Sequence, residues 1–216
     1  MSREFESLSQ RMVEDQLKAR GITDMRVLEA MRKVAREAFV PEGHRDQAYA
    51  DDPLPIGEGQ TMSQPYIVAL MAELAGIDPG DRVLDVGLGS GYSAAILAEM
   101  GARVFAIERH DILARRAEAV LEAQGYEQVA CRTGDGTLGW PEAAPFDAII
   151  VAAAGPVPEP LCDQLSIGGR LVIPVPGQGN RQELKCLTRI AETRWETQSK
   201  GGVAFVPLVR GTGASG

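Results

Sequence analysis

Long apolar runs are missing from this chain. No stretch of about 18 uncharged apolar residues could cross a bilayer as a helix, so no membrane role is expected. Cysteine is rare as well: Cys131, Cys162 and Cys186 are odd in number, widely spaced and without nearby histidine, which argues against a disulfide framework and against a zinc site. They read as small buried or half-buried residues. His44 and His110 stand alone without metal-ligand spacing and read as surface groups, so no metal is expected. A basic stripe is absent too. With scattered Lys and Arg and a formal net charge of -8, the chain repels phosphate backbones, and nucleic acid is not an expected partner. Residues 1–10 lack an apolar segment and carry Arg3, Glu4 and Glu6, fitting neither a secretory signal nor a transit peptide; a cytoplasmic protein is expected.

What is present suits one substantial core, since 44% of the 216 residues are hydrophobic. Phe5, Leu8, Met12 and Leu17 recur near the helical period, and Gly21 supplies a stop. Thr23 reads as the N-cap of a second helix through Val27, Leu28 and Met31, ending before Phe39-Val40-Pro41. From Pro41 to Thr61 prolines and glycines are too dense for a regular element, and a long irregular loop is expected. Ile67, Leu70, Met71 and Leu74 give one apolar face to a helix over 64–75, with Ser63 at its N-cap. Short β-like runs at 83–86, 104–107, 129–132, 148–152 and 171–175 then alternate with helices starting near Tyr92, Asp111 and Glu159. That alternation predicts an α/β fold, a doubly wound, mostly parallel sheet with helices on both faces. Residues 183–190 and 194–199 read as antiparallel edge strands, and 211–216 as a frayed end.

The run Val83-Leu84-Asp85-Val86-Gly87-Leu88-Gly89-Ser90-Gly91-Tyr92 is a strand, a glycine loop and a helix start. Glycines there let backbone approach a ligand that a Cβ would exclude, and helix-start N–H groups attract negative charge. Taken alone, the three glycines suit a tight βα turn equally well. Glu108 ends the second strand about 20 residues after Gly87, where an acid typically accepts bonds from ribose hydroxyls. The spacing Gly-x-Gly-x-Gly differs from the Gly-x-Gly-x-x-Gly that receives a pyrophosphate, so a nucleoside without one is implied. Asp85 is placed to receive an ammonium, directly or through water. Asp135, in Gly134-Asp135-Gly136 at the third strand end, is placed to accept from an adenine amino group. Singly, Glu108 would be a solvated charge paired with Arg109 or Arg115, and Asp135 an ordinary turn residue. As a set, Asp85, Gly87, Leu88, Gly89, Ser90, Gly91, Glu108, Arg109, Asp135 and Gly136 match an S-adenosylmethionine site.

Ahead of that fold stands Pro53-Leu54-Pro55-Ile56-Gly57-Glu58-Gly59-Gln60-Thr61-Met62-Ser63-Gln64-Pro65, which resembles the signature of protein-L-isoaspartate O-methyltransferases. Ala38-Phe39-Val40-Pro41, Ile107-Glu108-Arg109, Gly139-Trp140-Pro141 and Ala204-Phe205-Val206-Pro207-Leu208-Val209 resemble the family as well, so the likeness spans nearly the whole chain. It implies that Ser63 is the active-site serine beside the acceptor carboxylate, with Ile56, Thr61, Met62, Val206 and Pro207 on the substrate side. It implies S-adenosyl-L-methionine as donor, S-adenosyl-L-homocysteine as product, and isoaspartyl-containing proteins and peptides as substrates, methylated so that repair proceeds through a succinimide. A monomer is expected, with one catalytic unit over residues 1–216: helices and a substrate-side loop in 1–77, the cofactor-binding core in 78–180, and edge strands with a tail in 181–216. Met62 stands where Ile is usual in the family, and Leu88 replaces a small or polar residue and is expected to crowd the methionine pocket slightly. Tyr92 and Trp140 fit a core role equally well. Two other readings stay open: an aspartate methyltransferase dedicated to one precursor peptide, and a noncatalytic S-adenosylmethionine sensor.

Overall fold

Residues 3–179 and 181–212 are described by the structure, a computed structural model; residues 213–216 of the end expected to fray lie outside the described residues. Helix α1 (Arg3–Arg11) runs on through a π-helical turn (Met12–Leu17) and a 3-10 turn (Lys18–Arg20). Met12, Val13 and Leu17 are buried, and Gly21 ends the run with a φ of 93°. Helix α2 (Met25–Lys33) is capped by Asp24, whose side chain accepts from Arg26 N at 2.9 Å. Thr23, the expected cap, sits one residue too early, and its N–H and hydroxyl donate to Glu73 instead.

The 41–61 stretch is more ordered than its composition suggests. A 3-10 segment (Glu42–Gln47) leads to an antiparallel hairpin of β1 (Leu54–Gly57) and β2 (Gln60–Met62), with Leu54 opposite Met62. Its two turn residues, Glu58 and Gly59, have φ of 52° and 67°, as tight two-residue hairpin turns require. The breakers therefore build the hairpin instead of preventing one. Alternation turns Leu54, Ile56 and Met62 into the core. Helix α3 (Pro65–Ala75) follows, with Pro65 in its first turn and Gln64 as a cap without a side-chain bond. Ser63 is thus one residue outside the helix and is not its cap.

The main sheet comprises β3 (Arg82–Val86), β4 (Arg103–Glu108), β5 (Ala130–Thr133), β6 (Phe146–Val151), β7 (Leu165–Pro176), β8 (Gln182–Ala191) and β9 (Arg194–Val203). Their order is β5-β4-β3-β6-β7-β8-β9, parallel as far as β7 and antiparallel from there. Helices α4 (Tyr92–Glu99), α5 (Asp111–Ala123) and α6 (Glu159–Asp163) connect the parallel strands. Period-two alternation divides the core. Val83, Val104, Ala106, Ala148 and Ile150 pack with residues of α1 to α5, whereas Leu84, Phe105, Ile107, Ile149 and Val151 face the opposite side with Leu161 of α6 and Trp140. Helices therefore cover both faces, but unequally. Because the chain steps outward from β3 to β5 and returns to β6 on the other flank of β3, a crevice opens at the carboxyl ends of β3 and β6.

Candidate active site

The glycine loop is pinned by its neighbours. Gly87 N and Leu88 N both donate to Ile107 O, at 2.9 and 3.1 Å, and Gly89 N donates to Glu108 Oε2 at 2.9 Å. Gly136 faces the loop's root so closely that a Cβ there would lie 2.5 Å from Val86 Cγ1. The resulting cavity, about 180 Å³, is bounded by Val86, Gly87, Gly89, Ile107, Glu108, Arg109 and Gly136. Ile56, Gln60 and Thr61 of the hairpin close one side, Ala152 and Ala153 after β6 another, and residues 206–209 of the tail a third. The tail is held by main-chain bonds: Ala154 N donates to Val206 O at 2.8 Å and Leu208 N to Ala154 O at 2.7 Å.

A smaller pocket of about 50 Å³ adjoins it, lined by Pro53, Ser63, Gln64, Ile67, Ala204 and Phe205 together with Thr61, Ala152 and Val206. Those last three residues also line the larger cavity, so the two spaces share a wall. Among the described residues the Ser63 hydroxyl makes no hydrogen bond, leaving it free to bond a ligand.

Two buried acids, Glu108 and Asp85, stand in this region. Glu108 is buried at the cavity wall, and its Oε1 accepts from His110 N at 3.0 Å while Oε2 holds Gly89 N. A carboxylate has about four acceptor sites, so capacity remains for a ligand. Asp85 lies fully buried beneath the loop, and neither carboxylate oxygen has a well-formed hydrogen bond. Burial pushes its carboxyl up to about 7; the nearby Ser93 side chain opposes that shift and the Glu108 charge adds to it. A buried acid so poorly solvated favours positive charge nearby.

Of the residues singled out by sequence, Gly87, Gly89, Glu108, Arg109, Gly136, Ile56, Thr61, Val206 and Pro207 line the larger cavity, and Ser63 the adjoining pocket. Others face elsewhere. Asp85 sits behind the wall, so in this arrangement its reach to a ligand runs through the loop or water. Leu88 is buried in the core and does not narrow the cavity. Gly91 has a φ of 89°, and a Cβ there would also meet Leu121 and Ala117 of α5 at 3.3 and 3.4 Å. Ser90, with Phe39, Val40 and Arg116, lines an adjoining hollow that shares Ile56 and Gly89 with the cavity. Met62 points into the core opposite Leu54, as alternation with Thr61 and Ser63 requires. Asp135 stands beside the cavity, with Oδ1 accepting from Thr137 N and Oγ1 and Oδ2 accepting from Gly211 N at 2.6 Å.

The solvated pairing of Glu108 with an arginine does not occur; Arg115 pairs with Asp111. His110 is not a surface group, because its side chain is 15% exposed and Nδ1 lies 3.9 Å from Glu58 Oε2. Tyr92 and Trp140 are packed edge-on against Phe39 and Phe105. The three cysteines are free, and burial raises their thiols, Cys131 to about 12. Sequence reasoning missed Gln60, Ala152, Ala153, Leu208 and Val209. Ala152 and Ala153 were findable, because they follow the strand at the switch point, where small residues leave ligand space.

A family model for protein-L-isoaspartate(D-aspartate) O-methyltransferase (PCMT) matches residues 7–213. The chain belongs to that family. The protein-L-isoaspartate O-methyltransferase of Methylorubrum populi is 61% identical to it over 207 residues, 95% of this chain and 97% of the relative. Protein-L-isoaspartate O-methyltransferase 2 of Marinobacter nauticus is 57% identical over 92% of this chain and 91% of the relative. A solved protein-L-isoaspartate O-methyltransferase superimposes with a TM-score of 0.82 at 30% identity, over 94% of this chain and 65% of that longer one. A Plasmodium falciparum protein assigned to the same enzyme, in complex with S-adenosyl-L-homocysteine, gives 0.81 at 28% identity, over 95% and 98%. Among the described residues no helix is long and apolar enough to cross a membrane, and no metal-binding cluster is found.

Proposed function

We propose that this chain uses S-adenosyl-L-methionine to methylate the free α-carboxyl of L-isoaspartyl residues in damaged proteins and peptides, releasing S-adenosyl-L-homocysteine and opening repair through a succinimide. One observation carries the proposal beyond family membership: a donor-side cavity bordered by Glu108 and an acceptor-side pocket bordered by Ser63 share Thr61, Ala152 and Val206 as their wall. The donor fits this cavity. Glu108 gives the cavity wall a buried carboxylate and Asp85, fully buried beneath the loop, adds a second acid, which suits a ligand carrying sulfonium and ammonium charges.

When bound, S-adenosyl-L-methionine supplies a methyl group on a positively charged sulfur. Glu108 would hold its ribose hydroxyls, Asp135 would accept from its adenine amino group, and Gly87, Gly89 and Gly136 would let the backbone close on the nucleoside. Ser63 donates to the acceptor carboxylate and points it at the methyl, while Thr61 and Val206 fix its line of approach. No base is needed, because a carboxyl with a pKa near 4 is already ionised at neutral pH. Opposite charges cancel as the bond forms, so the apolar wall of Ile56, Ala152 and Val206 favours the step by keeping water out. Alignment supplies roughly 7 to 11 kcal/mol of the barrier reduction. The same proposal takes the chain as one catalytic unit, acting as a monomer in the cytoplasm.

Ser63→Ala is expected to slow methylation of an isoaspartyl peptide by about 10- to 150-fold, the loss of a charge-assisted bond of about 1.5 to 3 kcal/mol, while sparing S-adenosyl-L-homocysteine affinity. A wild-type rate would remove the serine from this role. Equal methylation of a matched aspartyl peptide would refute the substrate assignment.

A further inference from the structure

Arg36 is fully buried in the 3-10 turn Arg36–Phe39, and among the described residues it forms no salt bridge. Burying a guanidinium is costly, and apolar replacements of buried charges are often neutral or stabilising, so stability alone does not explain this residue. Burial lowers its pKa, while the Tyr92 side chain, Tyr49 and Asp51 pull the other way. Its bonds are to main chain: Nε donates to Ala48 O and Nη2 to Ser63 O, both at 2.7 Å. The guanidinium also lies 4.7 Å from the centre of the Tyr92 ring, the first residue of α4 after the glycine loop.

Ser63 needs such a tether. It stands between β2 and α3, and the helix's first bonds, from Ile67 N and Val68 N, go to Gln64 O and leave the Ser63 carbonyl unused. Among the described residues Arg36 is the only donor to that carbonyl. Gln64 beside it adds a long bond, from Nε2 to Asp51 Oδ1 at 3.4 Å. We infer that Arg36 is a positioning residue: by gripping the Ser63 carbonyl and stacking on Tyr92, it sets the Ser63 hydroxyl relative to the donor cavity. The inference rests on the role proposed for Ser63. Only a planar fork reaches two carbonyls on separate segments while lying over a ring, so lysine is not an equivalent.

The test is a double-mutant cycle on isoaspartyl peptide methylation, with folding checked by thermal melting and donor-site integrity by S-adenosyl-L-homocysteine calorimetry. Arg36→Lys and Arg36→Met are expected to lower kcat at least tenfold with product affinity unchanged, and to lower it less than threefold when added to Ser63→Ala. An equal loss in both backgrounds, a loss of product affinity as large as the loss of kcat, or a wild-type kcat in Arg36→Lys overturns the inference. If Ser63→Ala itself runs at the wild-type rate, the serine reading fails first and takes this inference with it. If Ser63→Ala is slow and Arg36→Lys is not, only the inference fails. Should neither Arg36 variant fold, Tyr92→Leu removes the ring beneath the guanidinium and is read by the same cycle: a loss confined to the Ser63 background supports the inference, and an equal loss in both overturns it.

Discussion

Gly89 and Glu108 are bonded directly, the loop amide donating to Oε2 at 2.9 Å while His110 N donates to Oε1 at 3.0 Å. One carboxylate thus fixes the glycine loop to the end of β4 and still borders the donor cavity.

Glu108→Gln tests that arrangement. The amide nitrogen of glutamine would face one of two backbone donors, leaving a buried N–H unpaired at about 1 to 3 kcal/mol. S-adenosyl-L-homocysteine affinity is expected to fall about 5- to 150-fold by calorimetry. Wild-type affinity would show that this carboxylate organises neither the loop nor the ribose.

Asp85 is expected to make donor binding pH-dependent. Burial pushes its folded pKa up to about 7, with the Ser93 side chain opposing and the Glu108 charge adding, against an ordinary value of 3.8. The folded chain therefore holds a proton that the unfolded chain releases. Asp85's contribution to stability is fullest below 3.8, declines as pH rises, and reaches its least favourable value above about 7. Asp85→Asn should raise the melting temperature of the unliganded protein more at about pH 8 than at about pH 5. Binding of the cationic donor should expel the Asp85 proton near about pH 6.5, seen as a calorimetric enthalpy that varies with buffer ionisation and ceases to vary in Asp85→Asn. Buffer-independent enthalpies in the wild type would contradict the coupling.

Local rules exposed much of this molecule in its sequence. The β3 strand, glycine loop and α4 start are contiguous, and alternation such as Leu84 against Val83 reveals which face each strand residue takes. The hairpin was harder to see, because its left-handed turn residue is Glu58, where asparagine or glycine would have announced it. Ser63 reads as a cap until Pro65, a residue suited to a first helical position, moves the helix start past it. The purpose of Gly91 depends on Leu121, and the bonds from Ala154 to the tail join distant parts of the chain, so neither relation shows in any short window.

Gly136→Ala should act on stability and binding together. The added Cβ would meet Val86 Cγ1 at 2.5 Å, an overpacking that typically costs about 1 to 3 kcal/mol. At about 2 to 4 °C per kcal/mol, the melting temperature is expected to fall by several degrees. The stabilisation given by added S-adenosyl-L-homocysteine should shrink as well. An unchanged melt would mean that Val86 yields freely.

Asp135 ties the nucleoside side to the tail, since its Oδ2 accepts from Gly211 N and Arg109 Nε donates to Gly211 O at 3.4 Å. Although burial alone would raise its pKa, the bonds from Gly211 and Thr137, with the Arg210 charge, hold it below the ordinary carboxylate value. Asp135→Ala is expected to weaken S-adenosyl-L-homocysteine binding and also to raise the peptide KM, because residues 206–209 lose an anchor. Steady-state kinetics with both substrates varied would show the two effects together; a change confined to the donor would mean that the tail is held without this bond.

The main-chain pairing of Ala154 with Val206 and Leu208 holds in place the tail that borders both the donor cavity and the acceptor-side pocket. Side chains there project from backbone whose course is already fixed by its own amides. Mutation of Ala204 and Phe205, which line the acceptor-side pocket and not the donor cavity, is therefore expected to retune which peptides are accepted while the nucleoside contacts stay constant, and laboratory selection for new acceptors has its natural starting library at those two positions.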